Sequence, residues 1–270
     1  METTFTPVEN SLYLTLAGRA LDSRAPRPVL ADPTAEGVAK ALGYDLAGAP
    51  LVKSQVFDIA VRSRILDDVV RDFVARHPDA VVLELGAGLD GRILRVEPPS
   101  TVDWYDVDLP AVTAARRRLL PARPNAHPVA ADLAEPGWLD ELPDGRPVVA
   151  VADGVVAFLP QDVLVALLNG ITGRFPSGEI AFNSYTKFHV WAIRHYRGTG
   201  SIAGVVANPG FDDPHDPERW DPKLRLAGEV FATRAPEVAL QPLAMRWFTR
   251  LCGRSAALSR RGTCVLRFRF

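Results

Sequence analysis

Unbroken apolar runs alternate along this chain with stretches in which apolar residues recur every three or four positions. The most telling run is Val81-Val82-Leu83-Glu84-Leu85, which stops at Gly86-Ala87-Gly88-Leu89-Asp90-Gly91. Consecutive apolar residues ending at paired glycines predict a fully buried parallel strand feeding a tight turn. Upstream, Val56, Ile59, Ala60, Ile65, Val69, Val70 and Phe73 recur at helical spacing and predict a helix over 56–76. Downstream, residues 101–108 predict a second strand, with Pro110 in the first turn of the following helix. A short third strand is expected over 125–130, ending at Asp132, and a buried fourth over 148–152, ending at Asp153-Gly154. Val163, Leu164, Leu167, Leu168 and Ile171 form one stripe of a helix over 162–175, and a fifth strand follows over 179–185.

This alternation predicts an α/β fold with a doubly wound, mostly parallel, Rossmann-like sheet and ligands at the strands' carboxyl ends. At 270 residues the chain is expected to be a single domain. An N-terminal helical lid over 1–55 is broken by Pro26, Pro28 and Pro33, and carries two short helical patterns over 11–20 and 33–42. The cofactor-binding core spans 56–186, and a substrate-side insertion with the C-terminal strands spans 187–270. Within that last part, 208–222 is a proline- and aspartate-rich loop, whereas Cys264 to Phe270 alternates at period two and predicts a final strand.

Composition narrows the function classes. Hydrophobic content of 47% is globular, and 31 basic against 32 acidic side chains give a net charge of −1, so nothing in the total draws the chain to nucleic acid or an anionic membrane. There is no basic start followed by a long apolar stretch, and no apolar run of about 20 residues, so a cytoplasmic location is expected. Cys252 and Cys264 make neither a disulfide framework nor a metal site, and no metal is expected.

Gly86-Ala87-Gly88-Leu89-Asp90-Gly91 matches the G-x-G-x-x-G dinucleotide fingerprint, with acids about 20 residues downstream as a ribose ligand requires. Taken alone, this predicts a nicotinamide-dependent oxidoreductase. Asp90 argues against it, because a carboxylate at the helix start opposes a pyrophosphate there. S-adenosylmethionine carries no phosphate, and acids at the ends of strands two, three and four suit it better. A non-catalytic relative that keeps the cofactor pocket is the third alternative.

The order of motifs resembles the leucine carboxyl methyltransferase superfamily, and within it the bacterial tetracenomycin-type polyketide O-methyltransferases, over nearly the whole chain. Arg62-Ser63-Arg64 with Asp67-Asp68 resembles the family's arginine segment. Leu85 to Arg92 resembles its L-G-A-G-L-D-T-R turn, with Gly91 where a hydroxyl residue is usual. Tyr105-Asp106-Val107-Asp108-Leu109-Pro110 resembles E-V-D-x-P, Asp132-Leu133 the D-L pair, and Asp153-Gly154-Val155 with Phe158-Leu159 the E-G-V-x-x-Y-L motif. The resemblance implies a class I fold with a C-terminal antiparallel strand and S-adenosylmethionine as cofactor. It implies Arg64 on the methionine carboxylate, with Gly86, Ala87 and Gly88 giving room for methionine and ribose. Asp108 is implied on the ribose hydroxyls, with Asp106 the alternative on the same strand face, Asp132 on the adenine amino group, Leu133 beside the ring, and Asp153 on the ammonium. Each role is chemically apt, since a guanidinium grips a carboxylate bidentately and carboxylates accept from hydroxyls and ammonium groups. Glu84, in a buried strand, needs a partner and is expected to hold the glycine turn from behind.

The expected reaction is methyl transfer to oxygen of a small, polyketide-like acceptor. A carboxylate acceptor needs no base; a phenol needs one, for which Tyr185 and His189 are the first candidates. The absence of a clear base motif favours the carboxylate.

Overall fold

The computed structural model describes residues 5–195 and 200–270; residues 1–4 of the expected N-terminal segment and 196–199 of the expected 187–270 part therefore fall outside it. Helices α1 (Leu12–Ser23), α2 (Ala35–Ala41) and α3 (Lys53–Arg76) precede strand β1 (Val81–Leu85) and the short α4 (Arg92–Val96). Then come β2 (Asp103–Asp108), α5 (Pro110–Leu119), β3 (Ala126–Ala130), β4 (Val148–Ala152), α6 (Gln161–Arg174) and β5 (Gly178–Asn183). The remainder holds α7 (Lys187–His195), α8 (Gly200–Ala203), α9 (Asp216–Trp220), β6 (Arg225–Phe231), α10 (Leu243–Gly253), α11 (Ala256–Ser259) and β7 (Cys264–Arg269).

The seven strands form one sheet in the order β3-β2-β1-β4-β5-β7-β6. The first five are parallel, whereas β7 runs antiparallel to both β5 and β6. Period-two geometry sorts β1 between two layers. Val81, Leu83 and Leu85 face the core shared with Leu164, Leu168 and Ile171 of α6. Val82 turns to the opposite core, where Val61, Leu66, Val70 and Phe73 of α3 pack. Glu84 belongs by the same alternation to the α3 side. Order reverses between β1 and β4, so the crevice above their carboxyl ends is the switch point where ligands bind in such sheets.

Two regions differ from expectation. The N-terminal segment has a core of its own, in which Leu16, Ala17 and Ala20 of α1 meet Val38 and Ala39 of α2 and Leu89 beyond the glycine turn. Strand β6 falls where sequence periodicity is weak, because a register shift between Leu226 and Gly228 breaks the alternation.

Candidate active site

Above the switch point lies a cavity of about 670 Å3. Its floor is the turn after β1. Gly86 and Gly88 have φ of +63° and +51°, the left-handed region that favours glycine, and a Cβ on Gly86 would stand 2.7 Å from the Val155 side chain. The turn is fixed from below by Arg116 of α5, which donates to the carbonyls of Ala87, Gly88 and Asp90 at 3.1, 2.9 and 2.8 Å and pairs with Asp106 at 2.7 Å. Asp106 also accepts from the Trp104 indole and lies outside the cavity lining, while Asp108, two residues on, lines it.

Asp108 accepts the Gly88 N–H at 2.6 Å and the Leu109 N–H at 2.7 Å. Burial pushes its carboxyl above the ordinary value against the pull of those two amides. Asp132 stands exposed at the rim with its Oδ1 on the Ala134 N–H, and buried Leu133 forms the adjoining wall. Gly91 is explained by Thr34, whose hydroxyl lies 2.6 Å from where a Cβ would be. A side chain at 91 would collide with it.

Behind the turn runs a buried ion network. Arg92, with no exposed side-chain surface, donates to Glu84 at 3.0 Å, Asp67 at 2.5 Å, Asp90 at 3.1 Å and Asp153 at 3.2 Å, and to the Ser63 carbonyl. Arg95 pairs with Asp32, Asp67 and Asp90, and Arg19 with Asp32 and Asp90. Burial alone would raise Asp90, but Arg19, Arg95 and Arg92 hold it far below the carboxylate range. The acid that opposes a phosphate in the sequence is therefore enclosed by three guanidiniums. Asp153 is likewise held low by Arg62 and Arg92 despite burial, and accepts from Arg62 Nε and from Ser63 at 2.7 Å. Glu84 has the partner it needs in Arg92, but its Oε2 is buried and unpartnered among the described residues, and burial pushes its carboxyl up to about 8.

Arg64 does not join this site. Its side chain is on the outer face of α3, paired with Asp68 at 3.3 Å, and is absent from the cavity wall. The physical reason is helical phase: Gln55, Asp58, Ile59 and Arg62 share the stripe facing the cavity, and two residues further is a turn of about 200°. Arg62 is the arginine of that segment which reaches the cavity.

At the far end, Tyr185 and His189 both line the cavity. His189 is committed on both ring nitrogens, Nδ1 to Thr186 and Nε2 to the Arg261 carbonyl at 3.0 Å, and burial lowers its pKa. The Tyr185 hydroxyl points at the Gly154 carbonyl 3.5 Å away. A carboxyl that sequence reasoning passed over stands with them: Asp58, hydrogen-bonded to Thr263 and near Arg62, is pushed up to about 6 by desolvation although its side chain is open to the cavity. Helical phase within α3 was the signal for it.

The sheet order, the glycine turn and the ring of acids at the ends of β2, β3 and β4 define a class I S-adenosylmethionine-dependent methyltransferase. More particularly, the chain belongs to the leucine carboxyl methyltransferase family, whose profile, "Leucine carboxyl methyltransferase", matches residues 13–172. It is 34% identical over 236 residues to the tetracenomycin polyketide synthesis O-methyltransferase TcmP of Streptomyces glaucescens, covering 87% of this chain and 86% of that one. The S-adenosyl-L-methionine-dependent methyltransferase dpfgK of Gibberella zeae is 29% identical over 84% of this chain and 83% of its own. In fold the chain resembles a crystal structure from Thermobifida fusca YX, with a TM-score of 0.53, 15% identity and 93% coverage of each chain. Among the described residues no cluster of three or more His, Cys, Asp or Glu has metal-binding geometry, and no helix is long and apolar enough to cross a membrane.

Proposed function

We propose that this protein transfers the S-adenosylmethionine methyl group to an oxygen of a small, polyketide-like acceptor. The observation that carries this is a single cavity reaching from the glycine turn to Asp58, Tyr185 and Thr263, with room for cofactor and acceptor end to end. The name of the TcmP relative supports oxygen as the atom methylated.

The residues present fit the cofactor. Asp108 keeps free lone pairs for the ribose hydroxyls after accepting two amides, and Gly86, Ala87 and Gly88 leave the space that methionine and ribose need. Asp132 takes the adenine amino group and Leu133 the ring face. Asp153 takes the methionine ammonium. Arg62, not Arg64, takes the methionine carboxylate. When bound, the cofactor supplies an electrophilic methyl on a sulfonium. The chain contributes alignment of the acceptor oxygen behind that methyl and a wall of Leu12, Phe158 and Ile193 that excludes water.

One observation bears on which oxygen reacts. With His189 committed on both nitrogens, Asp58 is the cavity carboxyl suited to accept a hydroxyl proton, and its charge opposes a second carboxylate beside it. This favours a hydroxyl acceptor over the carboxylate suggested by the missing base motif. Calorimetric titration with S-adenosylhomocysteine beside NAD tests the cofactor assignment: micromolar binding of the former alone is expected, and binding of NAD alone would overturn it. Incubation with S-adenosylmethionine and an aromatic acid bearing both a hydroxyl and a carboxyl, followed by mass spectrometry, reads the oxygen. An ether product lost in Asp58→Asn is expected; an ester made equally well by Asp58→Asn removes the hydroxyl reading.

A further inference from the structure

Helix α10 is attached to the protein by the wrong side for an ordinary surface helix. Its protein-facing residues are Arg246, Thr249, Cys252 and Gly253, all half-buried. Arg246 donates to the Gln241 carbonyl, Thr249 to the Gln241 side chain at 2.9 Å, and a Cβ on Gly253 would lie 3.0 Å from the Thr233 carbonyl. Its apolar arc faces solvent instead: Leu243 is 78% exposed, Trp247 68% and Phe248 58%, with Leu251 beside them, and no residue of the helix is buried. Surface helices of globular proteins turn the apolar stripe inward, so this arc is built to be covered.

Charge identifies what covers it. From Val238 to Thr263 the chain has five arginines and no Asp or Glu, although the whole protein is nearly neutral; of the five, Arg260 is paired with Glu229 of β6. Arg250 and Arg254 stand at one edge of the apolar arc and, with Arg234, line a separate pocket of about 340 Å3 at the helix's C-terminal end. A second copy packed on this face would enclose these arginines in the contact with no carboxylate from the segment to offset them. Aromatic and aliphatic side chains on one arc with guanidiniums at its border are the composition of a helix that lies in a lipid headgroup layer, where the arc enters the acyl boundary and arginines meet phosphates.

We propose that α10 docks the protein on an anionic membrane surface, with Trp247, Phe248 and Leu243 inserted and the Arg234–Arg250–Arg254 pocket taking a lipid phosphodiester. The local charge of this segment, not the net charge, governs the interaction.

Flotation of the full chain with vesicles of equal parts phosphatidylcholine and phosphatidylglycerol, beside pure phosphatidylcholine, tests this. Binding to the mixed vesicles only, weakened by high salt, is expected. Arg250→Glu/Arg254→Glu should weaken it by roughly 30-fold or more, given about 1 kcal/mol per basic residue at an anionic surface. Trp247→Ser/Phe248→Ser should abolish it while leaving the thermal midpoint and S-adenosylhomocysteine affinity unchanged, which separates a failed surface from a failed fold. No flotation by the wild type overturns the proposal. So does a wild-type dimer by light scattering that Trp247→Ser/Phe248→Ser turns into a monomer, which would make a second copy the cover.

Discussion

Replacing Arg92 by Met probes the centre of the site most directly. Arg92 is the shared cation of four buried carboxylates, and its loss affects them unequally. Asp67 keeps Arg95, Asp90 keeps Arg19 and Arg95, and Asp153 keeps Arg62, but Glu84 is left with no direct ion pair among the described residues. Removing one partner from a buried ion pair costs about 3–5 kcal/mol. With an unfolding entropy of about 2.1 cal/mol/K per residue, a 4 kcal/mol loss in a 270-residue chain lowers the thermal midpoint by about 7 °C. The pH dependence has a definite sign. Glu84 is already pushed up to about 8, and losing the opposing pull of Arg92 raises it further. Between the two values the variant's folded state holds an extra proton, so the variant's deficit grows with pH and is larger at pH 9 than at pH 6. Adding Glu84→Gln should recover part of the loss at pH 9, because a neutral amide needs no proton uptake on folding. Thermal unfolding by circular dichroism at both pH values measures this. A deficit under about 1 kcal/mol, or one larger at pH 6, would refute the reasoning.

Four further outcomes are expected. Arg64→Ala should leave stability within about 0.5 kcal/mol and S-adenosylhomocysteine affinity unchanged; a tenfold weaker titration would return Arg64 to the cofactor. Gly86→Ala should cost about 1–2 kcal/mol from its left-handed backbone and more from the Val155 contact, and weaken cofactor binding; an unshifted melting curve counts against the turn as described. Cys264, buried and pushed up to about 12 by desolvation, should resist a thiol reagent in the native protein while half-buried Cys252 reacts; two fast equivalents would contradict this. Asp58, with a folded pKa of about 6 above its ordinary value, loses stability as pH rises through roughly 4 to 6, so Asp58→Asn should melt higher than wild type at pH 7.5 but not at pH 4. Because that side chain is open to the cavity, the gain should stay under about 1 kcal/mol; a shift equal at both pH values would exclude the charged carboxyl as its source.

What was legible in the sequence follows from how local each signal is. The buried runs of β1 and β4 and the stripe of α6 are fixed by apolar spacing alone, and all three fall within a residue of expectation. Gly86 and Gly88 were readable because a turn that leaves β1 with positive φ admits little else. Arg62, not Arg64, reaches the cavity wall, which motif resemblance does not indicate because it carries no helical phase; the apolar residues of α3 do. Arg116 and Arg92 were silent for another reason: Asp106 on β2 is 10 residues from Arg116, and Asp67 on α3 and Asp153 just after β4 are 25 and 61 residues from Arg92. Strand β6 and helix α10 were missed because one is broken by a bulge and the other has its amphipathic faces reversed toward solvent.

The same ion network gives a physical reason why a turn matching the dinucleotide fingerprint serves a methyltransferase. Asp90 alone was a weak objection to a pyrophosphate, since three arginines surround it. Counted as a unit, however, the groups under the turn are seven carboxylates (Asp32, Asp67, Glu84, Asp90, Asp106, Asp108 and Asp153) against the five guanidiniums of Arg19, Arg62, Arg92, Arg95 and Arg116, with half-buried Arg71, 4.0 Å from Asp67, held closer to exposed Asp68. Each of those guanidiniums already binds a carboxylate, and the balance is still negative when Glu84 holds its proton. A pyrophosphate would enter a low-dielectric site with an excess of its own sign, whereas S-adenosylmethionine brings a sulfonium and an ammonium against one carboxylate. The discrimination is thus made by the charge balance of the enclosure, and only in small part by the acid inside the glycine motif.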